Sequence, residues 1–488
     1  MGIPSHVDIH YPTKQYLQQL QKSGEISVDT YPQIFLTPHA IIPESQTVAL
    51  LTLSSLPLIL HKIIIVATNH NTDVKNVVEV QDTDLPYFLE NEHSARINKN
   101  IILTLRPQFE EKNFIFLLLP RDNSLEETNN LLEAFQNFLQ SVGTEDTAKN
   151  AIVFTTDVSH QYNTTTSSVL EKEKELLKLI FTNNIQETIP KPPEIYSTSA
   201  CGPYNLQLFL LLCKQYGHFP EIVDYNNSQN MKQYWTNDTI KRIVSYLGLQ
   251  NNPNDKDCFV KNMGFYFKFL CSFSKSLLLD SSITFPNYNI NIYNPIFITL
   301  LFNHRTVGCI GEFNRQKKTL LEEKVFSLST RIIETDSRGR WNANVTAEMI
   351  KRPNFRVKLS ILQNPYEWRK VNEPIKNIYG GNVIINRNID QNTFHENPTW
   401  NGIFLPSVWI ENNWSVDTYI QHLIQKGGLM GTDTFSFFYF ESIVFAQGTK
   451  INNETYDFIS KFFYTKLQQI IQETKLIQNT ERKRRSRR

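Results

Sequence analysis

Short apolar runs alternate with amphipathic stretches through the first half of the chain. The clearest run, Ala151–Phe154, gives way to a polar cluster that carries Asp157 and His160. A continuous apolar run bounded by polar residues is typical of a strand buried in a parallel sheet. Because ligands gather at the carboxyl ends of such strands, we expect a functional site just after this run.

Two earlier runs have the same form, since Ile34–Leu36 leads into His39 and His61–Ala67 leads into His70. Further strands are predicted at Phe114–Leu119 and Glu221–Tyr225, and helices at Ser45–Leu53, Leu125–Leu139, Ser167–Phe181, Tyr204–Tyr216 and Thr239–Leu247. Strands that alternate with helices predict an α/β domain with a mainly parallel sheet.

The pattern changes after Gln250–Asp257, which is polar, rich in asparagine and contains a proline, as is typical of a linker. A helix is then predicted at Phe265–Leu279 and strands at Pro295–Phe302, Val307–Phe313 and Arg356–Leu362. This half is therefore predicted to be α+β. We expect a first domain over 1–250, a linker over 251–258, a second domain over 259–475 and a basic tail over 476–488.

Composition narrows the class of protein. The chain has 488 residues, 40% hydrophobic and 20% charged, which predicts a globular protein of two or three domains. Lys+Arg of 49 against Asp+Glu of 48 leaves no broad basic surface, so nucleic acid is not an expected partner. The longest apolar stretch, Leu50–Ala67, is interrupted by Pro57, His61 and Lys62, so no membrane association is expected.

Location follows from the same features. Residues 1–6 lack a basic region followed by an apolar core, and the five cysteines are widely spaced and odd in number. Both observations predict a cytoplasmic protein without a disulfide framework. The last eight residues include six basic ones, which is typical of a solvated end, with nuclear import or binding to an acidic surface as the alternative.

Three histidines and one cysteine are candidates for chemistry. His39, His70 and His160 each lie a few residues past an apolar run, and Cys201 lies just before a helix, where the N-terminal dipole favours thiolate. Imidazole and thiolate suit iron, copper or zinc, and Asp157 could fix the tautomer of a ligating histidine. The alternative for each histidine is a structural residue at the end of a strand.

The N-terminal half resembles the Memo family. The matching segments occur in the family's order over about residues 30 to 250: Thr37–Ala40, Ala67–His70, Glu92–Ser94, Thr156–His160 and Ala200–Gly202. Memo proteins are similar in fold to the class III extradiol dioxygenases, which are non-haem iron enzymes. The resemblance therefore implies an extradiol dioxygenase-like fold and iron or copper as cofactor, with zinc fitting less well.

The resemblance also implies roles for individual residues. His39, His70 and Cys201 would be the metal ligands, and His160, with Asp157 beside it, would take the position of a catalytic acid/base. Glu92 and His93 would line the pocket. Ile41–Ile42 and Ala67–Thr68 depart from the glycine-containing family pattern, so the loop shape around the pocket is expected to differ.

The C-terminal half resembles the AMMECR family over about residues 260 to 445. The matching segments are Asn294–Thr299, Val307–Gly311, Gly402–Pro406 and Lys426–Leu429, with Val307 where the family has arginine. Cys309 is predicted to be a buried structural thiol. Proteins of these two kinds also occur with a radical-SAM protein, which implies a separate radical-SAM partner.

The leading hypothesis is a Memo/AMMECR fusion with a non-haem iron or copper site and redox or oxygenase-type chemistry, hence a metal-dependent oxidoreductase or a dioxygenase-like enzyme. The alternative is a scaffold without catalysis, in which a vestigial dioxygenase site binds metal, a peptide or a protein partner. A third hypothesis, nucleic-acid binding through the basic tail, rests on residues 481–488 alone.

Overall fold

A computed structural model describes most of the chain in two compact units. Described are residues 33–68, 70, 78–79, 93–119, 128–141, 149–182, 200–228, 240–285, 288, 290, 294–312, 319–335, 346–385, 390, 392, 401–430, 434–446 and 451–465. One unit comprises residues 1–262 with 282–288, and the other 263–281 with 289–488. Among the helices in these ranges, none is long and apolar enough to cross a membrane.

The first unit alternates strands and helices. Its strands are β1 (Gln33–Thr37), β2 (Lys62–Thr68), β3 (Val78–Glu79), β4 (Phe114–Leu119), β5 (Asn150–Thr155), β6 (Ser159–Thr164), β7 (Phe219–Asn227) and β8 (Ile240–Asn252). Its helices are α1 (Pro43–Leu53), α2 (His93–Leu105), α3 (Thr128–Ser141), α4 (Thr166–Phe181) and α5 (Pro203–Tyr216). The apolar runs predicted as strands are confirmed as β1, β2, β4, β5 and β7.

The strands form one sheet with the order β3-β4-β2-β5-β1-β8-β6, and β7 pairs with β8. The central strands β4, β2, β5 and β1 are parallel, whereas β3, β8, β6 and β7 join by antiparallel pairing. The prediction of a mainly parallel sheet is therefore correct for the centre only, and the sheet as a whole is mixed.

Both faces of the central strands are covered. Phe35, Ile65 and Val153 point to the face that α1 and α2 cover, where they pack in one apolar cluster with Leu50 and Ile101. Alternate residues of the same strands point to the other face. There α5 packs against β1, β5 and β2, and Phe135 of α3 contacts Phe154 of β5 at 5.7 Å between ring centroids. Burial on both faces explains why these strands are continuously apolar in sequence.

The prediction of a helix at Thr239–Leu247 is wrong, because the described residues of this stretch, from Ile240 onward, belong to strand β8. Its apolar residues include Ile243, Val244 and Tyr246, whose β-branched and aromatic side chains favour strands. Strand β8 pairs with β1, β6 and β7, so the tertiary environment decides its conformation.

Residues 251–258, predicted as a linker, are the end of β8 and the first turn of helix α6 (Asp255–Leu277). Their polar side chains hold this junction together. Asn254 Oδ1 accepts a hydrogen bond from the backbone N–H of Asp257 at 3.0 Å, which caps the helix. Asn252 Nδ2 donates to the carboxylates of Glu221 and Asp257, at 2.6 and 2.8 Å. A polar, asparagine-rich segment thus caps a helix here.

The second unit is an antiparallel sheet with helices. Its strands are β9 (Ile296–Phe302), β10 (Arg305–Glu312), β11 (Phe355–Leu362), β12 (Arg369–Val371), β13 (Gly380–Ile385), β14 (Gly402–Phe404) and β15 (Ser436–Ala446), in the order β10-β9-β11-β15-β13-β14 with β12 paired to β15. Its helices are most of α6, then α7 (Leu321–Thr335), α8 (Ala347–Lys351), α9 (Pro406–Asn412), α10 (Val416–Gly427) and α11 (Asn453–Ile459). The predicted α+β pattern of strands and helix is confirmed in this unit.

Some predicted features lie outside the described residues. They are the pocket residue Glu92 and the basic tail at 476–488.

Helix α4 carries a buried carboxyl group against strand β7. Glu173 is 1% exposed and accepts a hydrogen bond from the hydroxyl of Tyr225. Burial raises the pKa of Glu173 from 4.5 to about 7, and the hydrogen bond from Tyr225 only partly opposes this shift. The folded state therefore favours the protonated acid.

This shift predicts a pH dependence of stability. Between about pH 4.5 and 7 the folded state binds more protons at Glu173 than the unfolded state, so the free energy of unfolding falls as pH rises. The whole effect is about 3 kcal/mol, at about 1.4 kcal/mol per pKa unit. Urea unfolding should show that the free energy of unfolding falls less from pH 5 to pH 8 for Glu173→Gln than for the unmodified chain. Glu171→Gln, an exposed change on the same helix, should keep the original loss, and equal pH dependence in all three proteins would contradict the assignment.

Candidate metal centre

The site begins where three neighbouring parallel strands end. His39 lies two residues past β1, His70 two residues past β2 and Asp157 two residues past β5. Strand β5 lies between β1 and β2 and is parallel to both. Their carboxyl ends therefore meet at one edge of the sheet, as the sequence predicts.

A third histidine joins His39 and His70 from a helix. His93 is the first residue of α2. Its ring centroid lies 5.3 Å from that of His39 and 4.8 Å from that of His70, and the His39 and His70 centroids are 5.3 Å apart. One nitrogen from each ring lies within 4.8 Å of the others. These three imidazoles are close enough to share one metal ion.

His39 also belongs to a second set of three ligand atoms within the same distance, with Asp157 and Cys201. Cys201 Sγ lies 3.4 Å from His39 Nε2, and Asp157 Oδ2 lies 3.8 Å from the same nitrogen. All three side chains are buried. The donors of this second set are one nitrogen, one oxygen and one sulfur.

Backbone hydrogen bonds fix the second set. The N–H of Asp157 donates to Cys201 Sγ at 3.1 Å, and the N–H of Cys201 donates to the backbone oxygen of Asp157 at 3.2 Å. The N–H of His39 donates to Asp157 Oδ1 at 3.0 Å. Asp157 thus holds both neighbours, and its carboxylate keeps one oxygen turned toward the imidazoles.

The turn before α5 places Cys201 at the end of the sheet. The N–H of Gly202 donates to Thr156 Oγ1 at 3.0 Å. Asn205 Nδ2 donates to Thr68 Oγ1 at 3.0 Å and to the backbone oxygen of Thr155 at 2.6 Å. These bonds join the first turn of α5 to the ends of β2 and β5, so the cysteine is positioned by three elements.

His160 is the second residue of β6 and approaches the same carboxylate oxygen of Asp157 as His39 does. Its Nε2 lies 3.8 Å from Asp157 Oδ2, and its side chain is 18% exposed. Burial raises the pKa of Asp157. The opposing, smaller effects come from the His160 ring, the backbone N–H of His39 and the rings of His93 and His70. Asp157 and His160 together can hold and pass a proton beside the candidate ligands.

The structure thus brings together six of the seven residues predicted for the site, and Glu92 lies outside the described part. The predicted ligand set was His39, His70 and Cys201. Within the described residues, the sets that meet the 4.8 Å distance are His39–His70–His93 and His39–Asp157–Cys201. His93, predicted only to line the pocket, is therefore as well placed for ligation as His70.

The six residues line an open cavity of about 770 Å³. Strand β8 supplies a wall that sequence reasoning missed, formed by Arg242, Val244 and Tyr246. The signal for a strand is present, because Val244 and Tyr246 are β-branched and aromatic residues that favour strands, but the stretch also fits the helix predicted from the sequence. Tyr162 of β6 and Ile41 after β1 also contribute to the lining.

Comparison with known families bears on the second unit. Residues 272–445 match the family model described as AMMECR1. The C-terminal half therefore contains an AMMECR1 domain. The resemblance predicted for this half is confirmed, and the match covers strands β9 to β14 and nearly all of β15.

In the AMMECR1 domain the Val307–Gly311 segment lies on strand β10, next to β9. A Cβ atom at Gly311 would lie 2.3 Å from ring carbons of Phe297, so the close approach of this ring requires glycine. Cys309 Sγ lies 3.3 Å from Thr299 Oγ1 and is half-buried. The thiol predicted to be buried at Cys309 is thus only partly buried, because β10 is at the edge of the sheet.

No curated protein matches the chain. Among solved structures, the chain is similar to the crystal structure of an uncharacterized protein, PH0010, from Pyrococcus horikoshii. That similarity has a TM-score of 0.28 and 18% sequence identity, and it covers 37% of this chain and 90% of the other.

The turn that positions Cys201 gives a stability prediction. A Cβ atom at Gly202 would lie 2.2 Å from Thr68 Oγ1 and 3.2 Å from Thr156 Oγ1, both in buried side chains. Gly202→Ala should therefore lower the free energy of unfolding by about 1–3 kcal/mol. Thr68→Ala in the Gly202→Ala background removes the close oxygen and should recover part of the loss. A double-mutant cycle measured by urea unfolding checks this, and strictly additive effects would contradict the close contact.

Proposed function

We propose that this cavity binds one iron or copper ion and supports redox or oxygenase-type chemistry. The observation that carries the proposal is the position of His39, which belongs to two sets of three ligand atoms within 4.8 Å. One set offers three imidazole nitrogens, and the other adds a carboxylate and a sulfur. A single buried histidine shared by two sets is difficult to explain as a structural residue at the end of a strand.

The chemistry of the donors fits such an ion. Imidazole and thiolate bind iron, copper and zinc in preference to magnesium or calcium. His39, His70 and His93 would hold the ion, with Cys201 or Asp157 completing the set. A bound iron or copper ion would supply one-electron chemistry, and zinc would not.

The surrounding residues have separate tasks. Asp157 Oδ1 accepts a hydrogen bond from the backbone N–H of His39 at 3.0 Å and so positions His39. Asp157 Oδ2 lies 3.8 Å from His160 Nε2. His160 is partly exposed to the cavity and can exchange a proton with a bound molecule. Cys201 is buried, so its sulfur is shielded from water. We therefore assign the acid/base role to His160, with Asp157 as its partner.

The resemblance to the Memo family supports the same proposal. The resemblance implies an extradiol dioxygenase-like fold for the first unit. The parallel centre of the sheet, with histidines at its carboxyl end, is compatible with that fold. The AMMECR1 domain in the same chain agrees with the association of these two kinds of protein. A separate radical-SAM protein is the partner that this association implies.

A cytoplasmic location belongs to the proposal. None of the five cysteines forms a disulfide, and four of them are buried. Free thiols are typical of proteins in a reducing compartment.

Metal content tests the proposal directly. The purified chain should contain about one iron or copper ion per molecule by elemental analysis. His39→Ala should lower the affinity about tenfold or more, because loss of even a hydrogen-bonding partner of a ligand costs about 10–100-fold. His61→Ala, an exposed change before β2, is the matched control and should keep the metal. Equal metal content in His39→Ala and the original chain, or none in either, would refute the proposal.

The alternative is a metal-binding or peptide-binding scaffold without catalysis. It is favoured by the openness of the cavity and by the exposed Ile41 in its lining. Oxygen consumption by the metal-loaded chain with catechol as a phenolic probe separates the two. Catalysis predicts uptake that His160→Ala lowers by about 100-fold, with the metal content unchanged. A scaffold predicts no uptake by either protein.

A further inference from the structure

Strand β8 presents three side chains to the cavity in a regular order. Arg242, Val244 and Tyr246 are two residues apart, and all three line the cavity wall. Alternation along a strand places residues i, i+2 and i+4 on the same face. The wall is therefore one continuous strip of the sheet.

The neighbouring strand β6 completes the strip. In the antiparallel register, Tyr162 lies opposite Arg242 and His160 lies opposite Val244. Both β6 residues also line the cavity. The guanidinium carbon of Arg242 lies 5.6 Å from the centroid of the Tyr162 ring, which is a cation–π distance. The strip thus begins with a paired arginine and tyrosine and continues to the acid/base histidine.

Exposure decreases along the strip toward the metal-binding residues. Tyr162 is 63% exposed, Val244 is 7% exposed and Tyr246 is 1% exposed. Arg242 is exposed at the outer end. The strip therefore leads from solvent into the cavity.

Among the described residues that line this cavity, Arg242 is the one arginine, and none is a lysine. Within the described part of the chain Arg242 forms no ion pair, and its guanidinium contacts the Tyr162 ring. Glu44 is near enough to raise the pKa of Tyr246, which Arg242 lowers, but Glu44 does not line the cavity. The guanidinium is therefore available to an anion that enters from solvent.

We propose that this strip is the binding wall for a small organic anion with a flat apolar body. The anionic group would bind Arg242, the body would lie on Tyr162 and Val244, and the far end would reach His160. The two-residue spacing between Arg242 and Val244 is about 7 Å along the strand, which suits a single six-membered ring. This ligand class rests on the proposed function, since the far end lies beside the residues that would hold the metal.

Benzoate is a probe of this class, and its affinity for the full chain can be measured by ligand-observed NMR. Benzyl alcohol lacks the charge and should bind at least tenfold more weakly, at about the loss that a missing charged hydrogen bond gives. Acetate keeps the charge but lacks the ring, so it should also bind at least tenfold more weakly, because it forms no apolar contact with Tyr162 and Val244. Arg242→Gln should weaken benzoate about tenfold or more, and Arg242→Lys should weaken it less. Tyr162→Leu should weaken it about threefold, whereas Tyr162→Phe should retain it.

Arg356→Gln is the matched control, because Arg356 is also an exposed strand arginine but lies in the second unit. It should leave benzoate affinity unchanged. Unchanged affinity in Arg242→Gln, equal binding of benzyl alcohol, or no binding of benzoate would each overturn the proposal. His39→Ala separates this result from the metal: it should lose the ion yet bind benzoate within about threefold. Metal retained by His39→Ala contradicts the proposed function, while loss of benzoate in Arg242→Gln would still support the binding wall.

Discussion

Asp157 is the residue on which the rest of the site depends. Its backbone N–H and oxygen both bond to Cys201, and one carboxylate oxygen accepts the N–H of His39. The other oxygen lies 3.8 Å from both His39 and His160. A buried carboxylate is costly unless such partners surround it. The N–H of His39 favours the charged carboxylate, whereas burial raises the pKa of Asp157. Together with the two backbone bonds to Cys201, this bond brings together residues that are far apart in sequence.

The sheet makes this arrangement possible. Strands β1, β5 and β2 are neighbours and parallel, so the residues that follow them meet at one edge. Helices on both faces bury these strands and keep their ends in register. Antiparallel strands β6 and β8 then extend the sheet beyond β1 and provide a wall beside the buried cluster. The parallel centre thus holds the candidate ligands, and the antiparallel side shapes access to them.

Much of this could be predicted from sequence, because strands buried on both faces carry an unmistakable apolar pattern. The predicted runs ending near His39, His70 and His160 are confirmed as β1, β2 and β5. His93 could not be placed by pattern, since it begins a helix and its proximity depends on how α2 packs. Strand β8 was missed because its residues fit helical and extended patterns equally well until three partner strands are known. The polar junction at Asn252 and Asn254 has a sequence typical of a linker, because side chains that cap a helix look the same in sequence as side chains that are solvated.

We propose above all that His39 binds a redox-active metal in common with the neighbouring imidazoles or with Cys201. Anomalous diffraction from crystals soaked in iron or copper tests it most directly, because the signal places the ion among named atoms. We predict one strong peak at about 2.0–2.1 Å from a His39 ring nitrogen, the usual distance for an imidazole ligand. A metal-soaked crystal with no peak in the cavity, or with peaks only at histidines elsewhere in the chain, would contradict it.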